Sequence, residues 1–409
     1  MARSLVGTPA GAQDYLFDAC GRRREMEARA GALFARYGYR EVMTPVVELF
    51  ELFTRTGQPM PPESMVKLID RDGRVLAMRP DSTTPVARVV AARLGGEPMP
   101  VRLYYLQDVY RDGAGHRGRR LETRQAGVEF IGAGGLKADL EVLSLAAEAL
   151  SELGAGEYRV ELSHAALLRA LFRALEAPPG AVEELRALIE RKNFASLGDK
   201  LKTFANRPVC EAILRLCHLF GGAELFEETG SLGVAEADEA LGYLRDLYTA
   251  LAGAGLGRHL QLDFGLVHQL EYYTGLVFRG YVSGAGRAVL TGGRYDHLMG
   301  ALGRAAPGAG FVLDVDALCA RAEEPPPAPR RARRLLHFPP ARLREALGVV
   351  ARAEQGAYEL SPCATLAESL ALARSRGIAA VVDLERDGAE IPVPGAPERP
   401  RGPAGEVTA

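Results

Sequence analysis

The chain is 409 residues long, 47% hydrophobic and 25% charged, with a formal net charge of −2; this composition suits a soluble globular protein of one or two domains and argues against wholesale disorder. Near-neutrality argues against a chain built to grip DNA or RNA, and no apolar run approaches the roughly 20 residues of a membrane helix. Five scattered cysteines, Cys20, Cys210, Cys217, Cys319 and Cys363, form no CxxC pair and no metal-ligand spacing with histidine, so a reducing, cytoplasmic compartment and no metal site are expected.

Met1 to Gln13 has no long apolar stretch of the signal-peptide kind. After an arm containing Gly7, Pro9 and Gly11, the spacing of Met26, Ala30, Leu33, Phe34 and Tyr37 predicts an amphipathic helix from Cys20 to Tyr37, ended by Gly38. Tyr39 to Phe53, rich in Val, Thr, Phe and Leu, reads as a strand. Val66–Ile69 and Val75–Met78 flank Asp70-Arg71-Asp72-Gly73, a hairpin turn. A helix is expected from about Thr84 to Leu94. Val101–Tyr110 and Gln125–Ile131 then read as antiparallel strands joined by a Gly- and Arg-rich loop, Arg111 to Arg120.

Residues 165–255 are dominated by Leu, Ala and Phe at helical spacing, punctuated by Pro178-Pro179-Gly180 and Gly221-Gly222. Strand patterns return at His259–Val267, Leu276–Val282 and Ala288–Leu290. Strands, then helices, then strands predict one α+β domain, residues 1–322, with a helical insertion at about 165–255. EEPPPAPRRARR, residues 323–334, reads as a proline-stiffened linker. Residues 335–390 read as a small α/β unit, with helices near Pro340–Ala353 and Ala364–Arg376 and the apolar run Ile378–Leu384. From Ile391 the chain is rich in Pro and Gly, and residues 391–409 are expected to be loose.

Four segments carry polar groups in suggestive order. Asp81 and Thr83, in Arg79-Pro80-Asp81-Ser82-Thr83-Thr84, stand where a strand gives way to a helix, which suits both an N-cap and a binding site. Arg111 and the arginines that follow suit a polyphosphate, although a solvated loop explains them as well. Gln125 and Glu129 share one face of a strand, with Gly127 leaving room between them. Leu270-Glu271-Tyr272-Tyr273-Thr274-Gly275 and Gly292-Gly293-Arg294-Tyr295-Asp296 read locally as a strand end and as a turn opening a helix.

Taken together and in order, RPDSTT, Val109-Tyr110-Arg111, QAGVE, LEYYTG and GGRYD resemble the catalytic domain of histidyl-tRNA synthetase, a class II aminoacyl-tRNA synthetase. The resemblance spans residues 7–320. It implies an antiparallel sheet flanked by helices and a histidine site. By that resemblance Asp81, Thr83 and Gln125 hold the α-ammonium, Glu129 and Tyr272 meet the imidazole, Tyr273 walls the pocket, and Arg111 remains from the activation machinery. Asp81 replaces the family's glutamate and reaches one methylene less far.

The chain also departs from the family. Amino-acid adenylation brings two anions together and needs fixed cations. Where the family has an arginine before its Tyr-Tyr segment, this chain has His268-Gln269-Leu270-Glu271. Where the motif 3 helix should carry an arginine, it has Ala317, with Asp314 and Asp316 expected to repel a polyphosphate. The C-terminal unit is about half the size of the family's anticodon-binding domain.

This pattern is similar to the regulatory subunits of ATP phosphoribosyltransferase, a branch of synthetase paralogues. That similarity implies a non-catalytic subunit without cofactor, nucleic acid or membrane. It also implies a homodimer inside a hetero-oligomer, commonly a hetero-octamer, with a short catalytic subunit and histidine as effector. The rival reading is an active histidine-tRNA ligase with rearranged cations.

Overall fold

The computed structural model describes residues 7–56, 61–112, 120–154, 156–266, 272–321, 334–354 and 356–394. Contacts divide the chain into two units, Met1–Ala322 and Glu323–Ala409.

In the first unit the described strands are β1 (Arg40–Glu41), β2 (Val47–Leu49), β3 (Lys67–Ile69), β4 (Val75–Met78), β5 (Val101–Tyr110), β6 (Glu122–Ile131), β7 (Tyr158–His164), β8 (Phe220–Gly221), β9 (Leu260–Asp263), β10 (Leu276–Val282), β11 (Leu290–Arg294) and β12 (Gly308–Asp314). Nine of them make one sheet in the order β1-β5-β6-β12-β11-β10-β7-β9-β8. Its centre is antiparallel, and only β1–β5 and β7–β9 pair in parallel. β5 and β6 pair without a break from Val101↔Ile131 to Tyr110↔Glu122.

The period-2 pattern of β5, with Val101, Leu103, Tyr105, Gln107 and Val109 more buried than the residues between them, sends successive side chains to opposite faces. We call the Tyr105 side the front. The helix Asp18–Arg36 covers the back, where Phe34 tilts onto Tyr104 (5.8 Å) and meets the edge of Phe311 (5.9 Å). On the front, Val86, Ala87 and Val90 of the helix Thr83–Arg93 close a smaller core with Val101, Leu103 and Tyr105.

Residues 165–253 form the helices Ala165–Ala174, Pro179–Glu190, Phe194–Leu201, Arg207–His218, Leu225–Thr229 and Ala235–Gly253. The Gly221-Gly222 break is where β8 leaves this block and pairs with β9, Phe220 opposite Asp263.

Three elements differ from expectation. The strand reading of Tyr39–Phe53 ends at Leu49, and Phe50–Arg55 is helical. The reason is an i, i+3 aromatic pair: Phe53 is fully buried with Met65 and Ala77, Phe50 packs beside it, and Thr56 Oγ1 donates to Leu52 O (2.6 Å). The GGRYD segment is strand rather than turn, because Gly292, Gly293 and Arg294 continue the ladder between β10 and β12. The chain beyond Ile391 is not loose at once: β16 (Ala389–Pro392) pairs antiparallel with the preceding strand, Ile391 opposite Val381.

The second unit is a four-stranded sheet of β13 (Arg334–His337), β14 (Tyr358–Leu360), β15 (Ala380–Asp383) and β16, in the order β14-β13-β15-β16. β13 runs parallel to both neighbours. Its alternating residues feed two small cores, Leu335 with Ala373 and Val381 on one face, Leu336 with Ala346 and Val382 on the other. Helices on both faces follow from that pattern. Among the described residues no helix is long and apolar enough to cross a membrane.

Candidate functional site

The pleat of three central strands decides which side chains meet. Glu129 of β6 lies between Leu103 and Gly310, Gly127 between Tyr105 and Val312, and Gln125 between Gln107 and Asp314. Tyr105, Gln107, Gln125, Glu129 and Asp314 therefore share the front face. Two of the intervening residues must be glycine. A Cβ at Gly127 would lie 2.3 Å from the Tyr105 hydroxyl, and one at Gly310 would lie 2.4 Å from Glu129 Oε2.

Glu129 is 1% exposed and is the chemical centre of this face. Tyr295 donates its O–H to Glu129 Oε2, and the hydroxyls of Thr83 and Tyr105 are further partners. Burial outweighs these hydrogen bonds and pushes the carboxyl from its ordinary 4.5 to about 8, with the nearby Asp81 adding to the rise. Near neutral pH the group is largely protonated. Tyr273 is buried beside the same group, its pKa raised by burial first and by Glu129 second. Tyr272 stacks on Tyr295 (5.5 Å between ring centres) and meets Tyr273 edge-on (5.0 Å). The result is a largely buried cluster of three tyrosine rings around a neutral acid.

Asp81 performs the capping role that its position suggests and leaves its other oxygen open. Oδ1 accepts from the backbone N–H of Thr84 (2.8 Å), capping the helix, while the buried Oδ2 has no hydrogen-bond partner among the described residues. Burial raises its pKa, countered by its hydrogen bonds to Thr84 and by the charge of Arg111. An acceptor held open in this way suits an ammonium donor. Arg79, two residues earlier, faces no ligand: its guanidinium is buried, binding the carbonyls of Asp108 (2.6 Å) and Thr44 (2.6 Å) and the side chain of Gln107 (3.1 Å). It fixes the strand exit that presents Asp81.

The tyrosine segment is held to GGRYD by Thr274. Its N–H donates to Arg294 O (2.7 Å) and its hydroxyl to Asp296 Oδ2 (3.0 Å). Arg294 in turn is buried against Asp139 and pairs with Asp296 (3.0 Å). In GGRYD the charged residues are scaffolding and Tyr295 is the pocket residue.

Of the residues expected at the site, Asp81, Thr83, Glu129, Tyr272 and Tyr273 lie together. Gln125 is half-buried on the same face, one step nearer the strand end. Arg111 is exposed, with Nε donating to Pro80 O (2.8 Å). His268, Gln269, Leu270 and Glu271 lie outside the described residues, as do the arginines at 117 and 119 and most of the 323–334 linker. Tyr105, Gln107 and Tyr295 were missed. Register would have found the first two, and Tyr295 stood inside a quoted motif without a role.

The expectation that Asp314 and Asp316 jointly repel a polyphosphate needs correction. Asp314 faces front, but it caps the helix Val315–Cys319 through Ala317 N (2.8 Å) and pairs with Arg287 (2.6 Å). Asp316 belongs to the back. Its buried carboxylate accepts from Tyr15 OH (3.0 Å) and from Arg124 N (2.9 Å), and pairs with Arg23 (3.3 Å) and Arg120 (3.1 Å). Arg124 also binds Glu27 (3.0 Å) and Asp108 (3.0 Å), and Asp108 binds Arg23 (3.1 Å). With Arg24 reaching Glu27 as well (3.3 Å), three carboxylates meet four guanidiniums at the N-terminal helix. Ala317 itself is half-buried and packs against the core.

A family model described as histidyl-tRNA synthetase matches residues 11–318. With the sheet and pocket above, this defines a class II synthetase-like protein of the histidyl type. Within that class, the ATP phosphoribosyltransferase regulatory subunit of Moorella thermoacetica is 38% identical, covering 80% of this chain and 85% of its own. That of Clostridium kluyveri is 36% identical over 314 residues, 76% of this chain and 80% of its own. A crystal structure titled as an ATP phosphoribosyltransferase regulatory subunit/histidyl-tRNA synthetase from Bacillus halodurans C superposes with a TM-score of 0.79 at 27% identity, covering 93% of this chain and 97% of that one. The chain belongs to the family of ATP phosphoribosyltransferase regulatory subunits.

Proposed function

We propose that the front-face pocket is the histidine sensor of this regulatory subunit and that it performs no adenylation. The observation that carries the proposal is the buried, largely protonated Glu129 in a wall of Tyr272, Tyr273 and Tyr295, opposite the unpartnered Asp81 Oδ2. Asp81, Thr83 and Gln125 take the α-ammonium, Glu129 and Tyr272 the imidazole, and Tyr273 closes the side. Arg111 remains beside Asp81, available to the ligand carboxylate or to a residual anion. Activation fails for want of cations: Ala317 offers none, and Arg120 is engaged by Asp316.

The partner is a short catalytic subunit of ATP phosphoribosyltransferase, inactive alone, which this chain scaffolds as a homodimer within a hetero-oligomer. Histidine inhibits the complex by binding one quaternary state better than another. Exposed apolar side chains support a homodimer surface: Phe17, Met43 and Ile69 are open to solvent, and Leu49, Leu76 and Leu68 form a cross-strand row on β2, β4 and β3. Five free cysteines support a reducing, cytoplasmic setting.

Calorimetric titration of the full chain with histidine tests the pocket. One site per chain is expected, lost in Glu129→Ala. Binding that survives this substitution would place the effector elsewhere. Histidine-dependent ATP–pyrophosphate exchange by the purified chain would overturn the non-catalytic reading.

A further inference from the structure

We propose that the C-terminal unit carries a binding site for a divalent transition-metal ion, formed by His337, Asp383 and Glu385. It is independent of the histidine pocket and of the function proposed above. His337 ends β13 and Asp383 ends β15, and the two are register partners on neighbouring parallel strands. Both sit at the carboxyl edge of the parallel strands, where open α/β sheets place their ligands. Asp383 Oδ1 accepts from the N–H of Glu385 (3.0 Å), starting the 3₁₀ turn Leu384–Arg386 that brings Glu385 round to the same point. One ligand atom from each of the three residues lies within 4.8 Å of the other two.

Burial distinguishes this trio from an ordinary acidic surface. His337 is 3% exposed and Asp383 1%, while Glu385 is open to solvent. The histidine ring is oriented from behind. Nδ1 is 2.9 Å from Ser369 Oγ, which is itself 2.6 Å from Ser361 Oγ. With Nδ1–H donating to Ser369, Nε2 carries the lone pair, and among the described residues the ring has no other hydrogen bond. A hydroxyl holding the far nitrogen is the outer-shell device that fixes a metal-binding tautomer. Arg386, largely exposed, reaches Asp383 at 3.6 Å, and the charge of Arg342 also acts on that carboxylate.

One imidazole and two carboxylates are a donor set for zinc and its divalent neighbours rather than for calcium or magnesium, which prefer all-oxygen shells. Three protein ligands leave at least one coordination position for water or for a further ligand. Sequence spacing could not reveal the site, because the ligands come from strand ends 46 residues apart, His337 to Asp383.

The test uses the untagged full chain, stripped by a chelator, titrated with Zn²⁺ by calorimetry and with Co²⁺ by visible absorption. One site per chain is expected, with cobalt bands of low-symmetry N/O coordination and no thiolate charge-transfer band. Glu385→Ala, at an exposed position, should weaken binding by more than about tenfold, the lower end of what an outer-shell change costs. Arg386→Ala should bind at least as tightly as the parent. His337→Ala should abolish the site, with far-UV circular dichroism confirming the fold. The proposal is overturned if the parent does not bind, if Glu385→Ala binds unchanged, or if a thiolate band shows that cysteines hold the metal.

Discussion

The two faces of β5 and β6 treat the same problem, buried charge, in opposite ways. On the back, Glu27, Asp108 and Asp316 are matched by Arg23, Arg120 and Arg124, and the charges are spent on one another. On the front, Glu129 is made neutral by burial, Asp81 keeps an oxygen without a partner among the described residues, and the walls are tyrosine rings. A lattice satisfied within itself holds the structure. A face left one donor short is less stable and can bind. The contrast also explains the fate of Arg120: on the back face it serves as a counter-ion.

The largest effect is expected from Asp316→Ala. Removing this buried carboxylate leaves Arg120 without its ion-pair partner and the Arg124 N–H without its acceptor. Arg23 keeps Asp108, and Arg124 keeps Glu27 and Asp108, so a loss of about 3 kcal/mol is expected, the lower end for breaking a buried pair. Urea unfolding should show this loss while the folded protein keeps its histidine affinity. A parallel loss of affinity would show that the faces are not independent. Glu129→Gln should do the reverse, weakening histidine by about 1.5 kcal/mol, the upper end for a hydrogen bond between uncharged groups, because the carboxyl is already largely protonated. Unfolding stability should not fall. Asp81→Asn comes next, at about tenfold in affinity, because the amide keeps one acceptor but loses the charge that attracts an ammonium.

A further expected effect is on pH dependence. Glu129 holds its proton more tightly folded than unfolded, so the stability it contributes is complete below its ordinary 4.5 and is lost as pH rises toward about 8. Thermal midpoints of the ligand-free chain should drift downward across that window, and the drift should shrink in Glu129→Gln. An identical drift in both would assign it to other groups.

Much of the fold was legible because local pattern and tertiary role agree there. The alternation of β5, the hairpin at Asp70–Gly73 and the helix after Pro80 are all signalled by period and turn chemistry. Phe50–Arg55 was misread because two phenylalanines favour strands in general but here face one core at helical spacing. GGRYD was misread because paired glycines signal a turn when, in this sheet, they permit close contact. At the site, Asp81, Thr83, Glu129, Tyr272 and Tyr273 were accessible through resemblance. Gln107 and Tyr105 required the register of β5 on β6. The true facing of Asp316 was hidden, since it depends on whether the chain has left the strand by residue 314 or 315.

Arg124 and Gln125 are adjacent in sequence, yet one belongs to the ion lattice and the other to the pocket face. Inserting or deleting a single residue between Gln125 and Glu129 would turn one part of that run through the sheet, trading pocket groups for lattice groups. Neither face can therefore be lengthened or trimmed without wrecking the other. Change in this run is thus confined to exchanging side chains in place, one at a time.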